Sequence, residues 1–413
     1  MTDVARVAQQ RSGLNMSTWR QKVWRWEHYG VVPEAAAQHA LATELGIDVD
    51  AVGQLGWPNW LTLVDPAETV HGAWTAEAAQ SVIGRVVESV AVDRREFLVY
   101  TGARLSAMAE GWSQTPTPVI ADDPVGGPVS DGAVESLHQR ASALWLLDDN
   151  LDGGTTLEPS LADLRLAYTL MRCGTGRSIT ERRLYSAIAS LARFAGWAAF
   201  DAGRLGASQR LWHAALRAAH AAADTVQAVY VLSNLALQMV YSGDSAGAVS
   251  ALEAARSRVD PAERIVSTML DTWQVRAKAL QGEHPEAQLL LNCADNHWGA
   301  RKDGDDPDHV HWTPQSTLTA EAVATMRRLR HAEQILSVGL AALDPASARD
   351  RNICLIQLAE TQHAAGRLDE AVDSRSRAVD DVAESIRTVS PVISPRSMDV
   401  FPTNPSPTCW ARI

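Results

Sequence analysis

The chain has 413 residues, of which 46% are hydrophobic, so it is long enough for more than one core and too apolar for a disordered protein. Its formal net charge of −12 excludes a protein that coats nucleic acid with its whole surface, although a small basic module is compatible with an acidic body. Abundant alanine and leucine predict an all-α fold. The absence of a long uncharged run predicts a cytoplasmic protein with no membrane partner.

Residues 1–66 predict a small helical head. Ser17 can cap a helix over TWRQKVWRWEHY, which ends at Gly30. A second helix is predicted in EAAAQHALATELG, and Asp48 or Asp50 can cap a third before GWPNWL.

The first of these helices carries a local excess of positive charge. Its core side is predicted at Val23 and Trp26, and the basic and amide side chains lie on the exposed side: Arg20, Gln21, Lys22 and Arg25. Arginine and glutamine reach base edges, and lysine reaches phosphate, so these four residues are the candidate DNA-binding residues. The alternative is an amphipathic helix with a solvated basic face, which is a common arrangement.

Two connecting helices are predicted within residues 67–112, including DRREFLVYTGARLSAMAEGW. Residues 113–132, SQTPTPVIADDPVGGPVSDG, are rich in proline and glycine and read as a linker. The linker predicts two separate cores, with residues 133–387 able to fold alone.

Residues 133–387 contain a helical repeat that appears when the turns between helices are aligned. The five turns are Gly203-Arg-Leu, Gly243-Asp-Ser, Gly282-Glu-His, Arg327-Arg-Leu and Gly366-Arg-Leu. Five residues beyond each turn comes a small residue: Ser208, Ala248, Ala287, Ala332 and Ala371. Nine beyond, four of the five have a large apolar residue: Trp212, Leu252, Leu291 and Leu336, whereas Arg375 breaks the pattern. The turn residue reverses the chain, the small residue lets two helices approach closely, and the large apolar residue fills the core between them. This order predicts antiparallel helix pairs in a right-handed, tetratricopeptide-like superhelix.

The first helix of each pair is expected to line the concave wall of that superhelix. Tyr230, Asn234 and Gln238 form a row at helical spacing on one first helix, and Trp273 and Arg276 lie on the next. Amides and aromatic rings at this spacing predict a groove for a peptide, small molecule or protein partner. Alternatively, Tyr230 belongs to the core and the two amides are solvated.

Nothing in the sequence predicts a catalytic, cofactor or metal site. Phosphate-loop, dinucleotide, zinc-protease and nucleophile-elbow motifs are absent, so we expect no enzyme. The loop 296–315 contains residue types that bind metals, namely Asp305, Asp306, Asp308, His309 and His311. An acidic, mobile loop lacks the rigid geometry of a metal site. Residues 388–413 contain five prolines and predict a tail that does not continue the array.

The order of these segments resembles a known regulator family. KVWRWE, QHALATELGI, GWPNWL, DRREFL, LDDNLDGGTTLEPSLADL and LARFAGWAAFDAGRLGASQRLWHAALRAAH follow one another as in actinobacterial Xre-class helix-turn-helix transcriptional regulators with tetratricopeptide arrays. A more distant similarity is to Gram-positive peptide-pheromone receptors. The resemblance implies a homodimeric, ligand- or partner-responsive regulator that binds an operator in DNA.

The sequence departs from this family at its start. Only Met1–Asp3 precede VARVAQQ, where the family has a complete helix, so either the head is truncated or the start codon lies upstream. The alternative function is therefore a repeat scaffold that binds another protein or peptide without binding DNA.

Overall fold

Every regular element in the described part of the computed structural model is an α-helix, which confirms the all-α class. The structure describes residues 31–44, 48–57, 73–89, 102–118, 128–148, 153–174, 178–260, 263–300, 332–343 and 348–389. The predicted basic helix, residues 119–127 of the linker, the turn at Arg327 and the tail beyond Val389 lie outside these ranges.

The helices are numbered here in chain order. They are α1 (Ala35–Glu44), α2 (Val49–Leu55), α3 (Ala76–Ser89), α4 (Gly102–Gln114), α5 (Asp131–Asp148), α6 (Gly153–Cys173), α7 (Ser178–Asp201), α8 (Leu205–Ala221), α9 (Thr225–Tyr241), α10 (Ser245–Arg256), α11 (Arg264–Leu280), α12 (His284–Gly299), α13 (Ala332–Ala342), α14 (Ala348–Ala364) and α15 (Leu368–Val389). Below, α5, α7, α9, α11 and α14 are the first helices of their pairs, and α6, α8, α10, α12 and α15 are the second helices.

The two short N-terminal helices agree with the sequence prediction. Helix α1 lies within the predicted second helix of the head. Asp48 caps α2, because its carboxylate accepts a hydrogen bond from the Asp50 backbone N–H at 3.0 Å. Asp48 rather than Asp50 is therefore the cap.

Four of the predicted turns have one common geometry. Gly203, Gly243, Gly282 and Gly366 have φ of 75°, 83°, 80° and 78°, in the left-handed region that favours glycine. The residue after each glycine donates its N–H to the carbonyl five residues back, as Arg204 does to Ala199 at 2.8 Å. This pattern closes the end of an α-helix and reverses the chain.

The turn between α8 and α9 reaches the same geometry without glycine. Ala223 has a φ of 57°, and the N–H of Asp224 donates to the Ala219 carbonyl at 2.9 Å. Asp224 then caps α9 by accepting from the Gln227 N–H at 3.0 Å. The cap stabilises a turn whose alanine is in an unfavourable backbone region.

The small and large residues of the repeat are buried as predicted. Ser208, Ala248, Ala287, Trp212, Leu252 and Leu336 are each 0% exposed. Helices α7 and α8 approach closely, since a Cβ built on Gly196 would lie 2.4 Å from the Trp212 ring. The indole N–H of Trp212 also donates to the Arg193 carbonyl at 3.1 Å. One buried ring therefore fixes the spacing of this helix pair.

The helices α3 and α4, called here the N-terminal pair, share one hydrophobic core with the array. Helix α3 packs against α8 and α6, and α4 packs against α10 and α9. Ile83, Met108 and Trp112 of the N-terminal pair are buried in the same cluster as Trp212 and Leu252. The prediction that the linker separates two cores is therefore wrong, because the N-terminal pair supplies apolar cover for the second helices.

A second cluster lies near the C-terminal end of the described chain. Helix α14 packs against both α13 and α15, and the buried residues are mostly leucines: Leu336, Leu340, Leu343, Leu355 and Leu358, with Cys354 and Ala378. Arg375 is exposed on α15, which explains why it can occupy the position that is apolar in the other pairs.

Replacement of Gly196 by alanine should lower the free energy of unfolding by about 1–3 kcal/mol, because the added methyl overlaps a fully buried ring. Urea unfolding followed by circular dichroism measures the change. Gly299→Ala is the matched control, since nothing lies within 4 Å of its added Cβ. Equal stability of Gly196→Ala and the wild type would contradict the close-packing account.

A fragment of residues 133–387 should melt at a lower temperature than the full chain and self-associate. Its α8 and α10 lose the cover that Ile83, Met108 and Trp112 provide. Thermal melting and size-exclusion chromatography of the two proteins test this expectation. A monomeric fragment with the melting temperature of the full chain would mean that the N-terminal pair contributes little to the core.

Candidate functional site

Two faces of the array carry buried charged groups, and the first is the face of α8 and α10 beneath the N-terminal pair. Arg217 on α8 is 2% exposed, and its guanidinium lies 4.0 Å from the centroid of the Trp74 ring. Its Nη1 donates to the Ala73 carbonyl at 2.8 Å. Burial lowers the pKa of Arg217 to about 10, so the group stays charged at neutral pH.

A second arginine holds the other end of the N-terminal pair. Arg258, which follows α10, donates to the carbonyls of Ser113 and Thr115 at 3.2 and 2.9 Å and to the Thr117 hydroxyl at 2.6 Å. Its guanidinium also lies 5.2 Å from the Trp112 ring centroid. Two arginines of the array thus bind backbone carbonyls on either flank of the N-terminal pair.

His220 lies between these two arginines. It is 4% exposed and meets the Trp74 ring edge-on, with the ring centroids 5.1 Å apart. Burial, followed by the charges of Arg258 and Arg217, lowers the pKa of His220 to about 4. His220 is therefore neutral at physiological pH, and its protonation would place a third cation beneath the N-terminal pair.

The second face is formed by the first helices, which contact one another in succession from α5 to α11. At its centre is a group called here the arginine–aromatic cluster, made of Arg193 on α7, Trp145 on α5 and Tyr230 on α9. The Arg193 guanidinium carbon lies 4.6 Å from the Trp145 ring centroid and 4.8 Å from that of Tyr230. These distances are typical of cation–π contacts, so the cation is held by π-systems of both neighbouring helices.

Arg193 is 1% exposed and forms no salt bridge with any residue in the described ranges. Burial lowers its pKa to about 10, although the nearby Tyr230 and Asp224 partly oppose the shift. Asp224 uses its two carboxylate oxygens elsewhere, on the Ser186 hydroxyl at 2.6 Å and the Gln227 N–H at 3.0 Å. The guanidinium is therefore a cation in the interior without a contacting anion.

The five predicted ligand-binding residues do not form one exposed row. Tyr230 and Gln238 are each 1% exposed, and Gln238 donates to the Leu205 carbonyl and the Ser208 hydroxyl, both at 3.2 Å. They are interior residues because α9 turns this side towards α7 and α8. Asn234, Trp273 and Arg276 are partly exposed. Ligand binding by the set stays a prediction.

Arg276 has an aromatic partner of its own. Its Nη2 donates to the Tyr241 hydroxyl at 2.5 Å, and its guanidinium lies 4.5 Å from the centroid of that ring. The contact joins α11 to the end of α9. Tyr241 of the neighbouring helix pair thus orients the Arg276 side chain on the face of the first helices.

A third charged group joins three consecutive helices. The Asp271 carboxylate on α11 contacts Arg256 on α10 and accepts a hydrogen bond from Nδ1 of His297 on α12 at 2.7 Å. The Asp271 side chain is 4% exposed, and burial raises its pKa, with Arg256 and His297 opposing that shift. This arrangement is a structural ion cluster at the joint between the α9–α10 and α11–α12 pairs.

Several predicted features fall outside the described residues. These are the candidate DNA-binding residues Arg20, Gln21, Lys22 and Arg25, and the acidic loop residues from Asp305 to His311. Within the described ranges, no helix combines the length and apolarity needed to cross a bilayer, and no three His, Cys, Asp or Glu side chains are placed to hold a metal ion.

Sequence reasoning missed both buried arginines. In LARFAGWAAF and LWHAALRAAH, Arg193 and Arg217 are isolated cations within otherwise apolar helical segments. A cation at a core position of an apolar helix is the signal that identifies them, because such a group needs a partner when it is buried.

Lowering the pH from 7 to 5 should destabilise the wild type more than His220→Gln. The pKa of His220 is about 4 in the folded state and 6.5 when unperturbed, so the unfolded chain binds the proton first and stability is lost as the pH falls below 6.5. Urea unfolding at several pH values measures the difference. His284→Gln, at an exposed position on α12, should keep the wild-type pH dependence; parallel curves for wild type and His220→Gln would contradict the buried neutral imidazole.

Comparison with known proteins leaves the family resemblance of the sequence as a prediction. Neither a search of family models nor a search of curated proteins finds a match for this chain. The functional case therefore depends on the residues and contacts described above.

Proposed function

We propose that the chain is a ligand- or partner-responsive transcriptional regulator. The helical array from residue 133 to 387 is the sensor, and the N-terminal head, with Arg20, Gln21, Lys22 and Arg25, binds an operator in DNA. The protein acts in the cytoplasm as a homodimer. A peptide, small molecule or partner protein on the first-helix face changes the DNA affinity of the head.

The observation that carries this proposal is the packing of the N-terminal pair on the array. The segment that follows the head is fixed at one end by Arg217 on the Ala73 carbonyl and at the other by Arg258 on the Ser113 and Thr115 carbonyls. Between these contacts, α3 and α4 are buried against second helices. A change in the angle between helix pairs therefore acts on the segment that leads to the head.

The two faces of the array have separate roles in this scheme. The first helices carry the partly exposed Asn234, Trp273 and Arg276, and the second helices α8 and α10 are covered by the N-terminal pair. Trp and Arg are residue types that often dominate binding interfaces. The shared core connects ligand binding on the first helices with the position of the N-terminal pair on the second helices.

One observation favours the alternative, a scaffold that binds a protein partner and no DNA. The net charge of −12 opposes approach to a polyanion, so any DNA binding depends on the small basic segment near the N-terminus. The two functions make different predictions for the residues of that segment.

Alanine at Arg20 or Arg25 should weaken specific DNA binding by about 1–3 kcal/mol each, because each loses contacts to base edges. Alanine at Lys22 should weaken binding to all sequences alike and reduce the salt dependence. The measurement is fluorescence anisotropy at several salt concentrations, with DNA fragments selected from a random pool by the full chain.

A matched control removes three positive charges from the array instead. Arg172, Arg182 and Arg375 are exposed on α6, α7 and α15, and their replacement by alanine should leave specific DNA binding within about twofold of wild type. Failure of the wild type to enrich any DNA sequence would reject the regulator and leave the scaffold.

A further inference from the structure

Arg193 has hydrogen-bonding capacity that the described chain does not use. Its Nε and Nη2 are buried, and neither has a hydrogen-bond partner among the described residues. Polar groups in protein interiors nearly always have partners, and a buried cation without an anion is unfavourable. Burial of the Arg193 guanidinium therefore destabilises the fold unless another group accepts its hydrogen bonds.

The unused atoms form one particular edge of the guanidinium. Nε and Nη2 point in the same direction and bind a planar carboxylate side by side. Arg140, on the neighbouring first helix α5, uses these same two nitrogens to bind the Asp163 carboxylate, with Nε at 2.8 Å from Oδ1. Arg193 presents the same edge without an internal carboxylate.

The neighbouring rings restrict how an acceptor can reach this edge. The Arg193 guanidinium carbon lies 4.6 and 4.8 Å from the Trp145 and Tyr230 ring centroids, so π-systems surround part of the cation. An acceptor must approach close to the plane of the guanidinium. A carboxylate fits this edge, as Asp163 does at Arg140, and inorganic phosphate is the competing anion that the experiment must test.

A second unused donor lies one helical turn away. The Asn234 amide nitrogen has no hydrogen-bond partner in the described chain, and Asn234 follows Tyr230 on the same face of α9. Asn234 and Trp197, four residues beyond Arg193 on α7, are partly exposed and form the rim of the cluster. A ligand with two neighbouring acceptor atoms can therefore use both buried donors, which lie about one helical turn apart.

We infer that the arginine–aromatic cluster and Asn234 form a binding site for a ligand with a carboxylate group. The carboxylate accepts from Nε and Nη2 of Arg193, and an adjacent acceptor atom, such as a carbonyl oxygen, receives the Asn234 amide. The inference rests on the proposal that the array is a sensor, since it names the ligand class of that sensor. A free carboxylic acid and the C-terminal carboxylate of a peptide share this chemistry.

The test uses the full chain without DNA and four probes at constant ionic strength. These are benzoate, N-acetyl-trialanine with a free carboxylate, the same tripeptide as its amide, and inorganic phosphate. Thermal melting and calorimetric titration should show binding of at least one carboxylate probe, and neither the amide nor phosphate should bind. Response to benzoate alone points to a free acid, and response to the tripeptide alone points to a peptide terminus.

The decisive variant is Arg193→Met, which keeps the length of the side chain and removes the donors. It should lose at least tenfold in carboxylate affinity. Arg183→Met is the matched control on the same helix, because Arg183 already pairs with Glu135 at 2.8 Å and should keep the wild-type affinity. Unchanged affinity in Arg193→Met, or preference of the wild type for phosphate, would overturn the assignment, as would binding of neither carboxylate.

Asn234→Ala keeps the inference testable if Arg193→Met does not fold. Its amide nitrogen has no hydrogen-bond partner in the described chain, so alanine removes no hydrogen bond, and its loss should weaken carboxylate binding at least threefold. Wild-type affinity in this variant would overturn the assignment, because the site is defined by both Arg193 and Asn234. Because no DNA is present, a chain that binds the probes but no operator retains the site and loses only the proposed regulation.

Discussion

The whole array depends on how each helix pair closes. A residue with positive φ reverses the chain within three residues, and only then can a small side chain five positions later bring the two helices into contact. At Gly196, the Trp212 ring occupies the place of a side chain. Both buried arginines, Arg193 and Arg217, lie on α7 and α8, which one of these turns joins.

Charge is distributed differently on the two sides of the array. Arg217 and Arg258 each donate to backbone carbonyls that flank the N-terminal pair, so they stabilise a contact within the chain itself. Arg193 contacts two aromatic rings, and two of its donors have no partner among the described residues. Arginine suits both roles, because it stays charged when buried and stacks on aromatic rings while its edge binds an acceptor.

Sequence patterns predicted what depends on local physics and missed what depends on packing between distant segments. The turn glycines and the buried small residue at Ser208 follow from helix spacing alone. The shared core was missed because a proline-rich segment suggests separation, whereas Arg258 binds that very segment at Thr115 and Thr117. Tyr230 was ambiguous, since helical periodicity does not say which neighbour covers a side chain.

The Asp271 cluster makes one joint of the array stiffer than the others. One buried carboxylate forms an ion pair with Arg256 and a hydrogen bond with His297, so polar contacts as well as apolar ones join α10, α11 and α12. Helical-repeat arrays deform by small rotations between neighbouring units. A joint with a buried ion pair resists such rotation more than a joint that relies on apolar packing. Bending of the array would then concentrate on the N-terminal side of this joint, which includes α8 and its contact with the N-terminal pair.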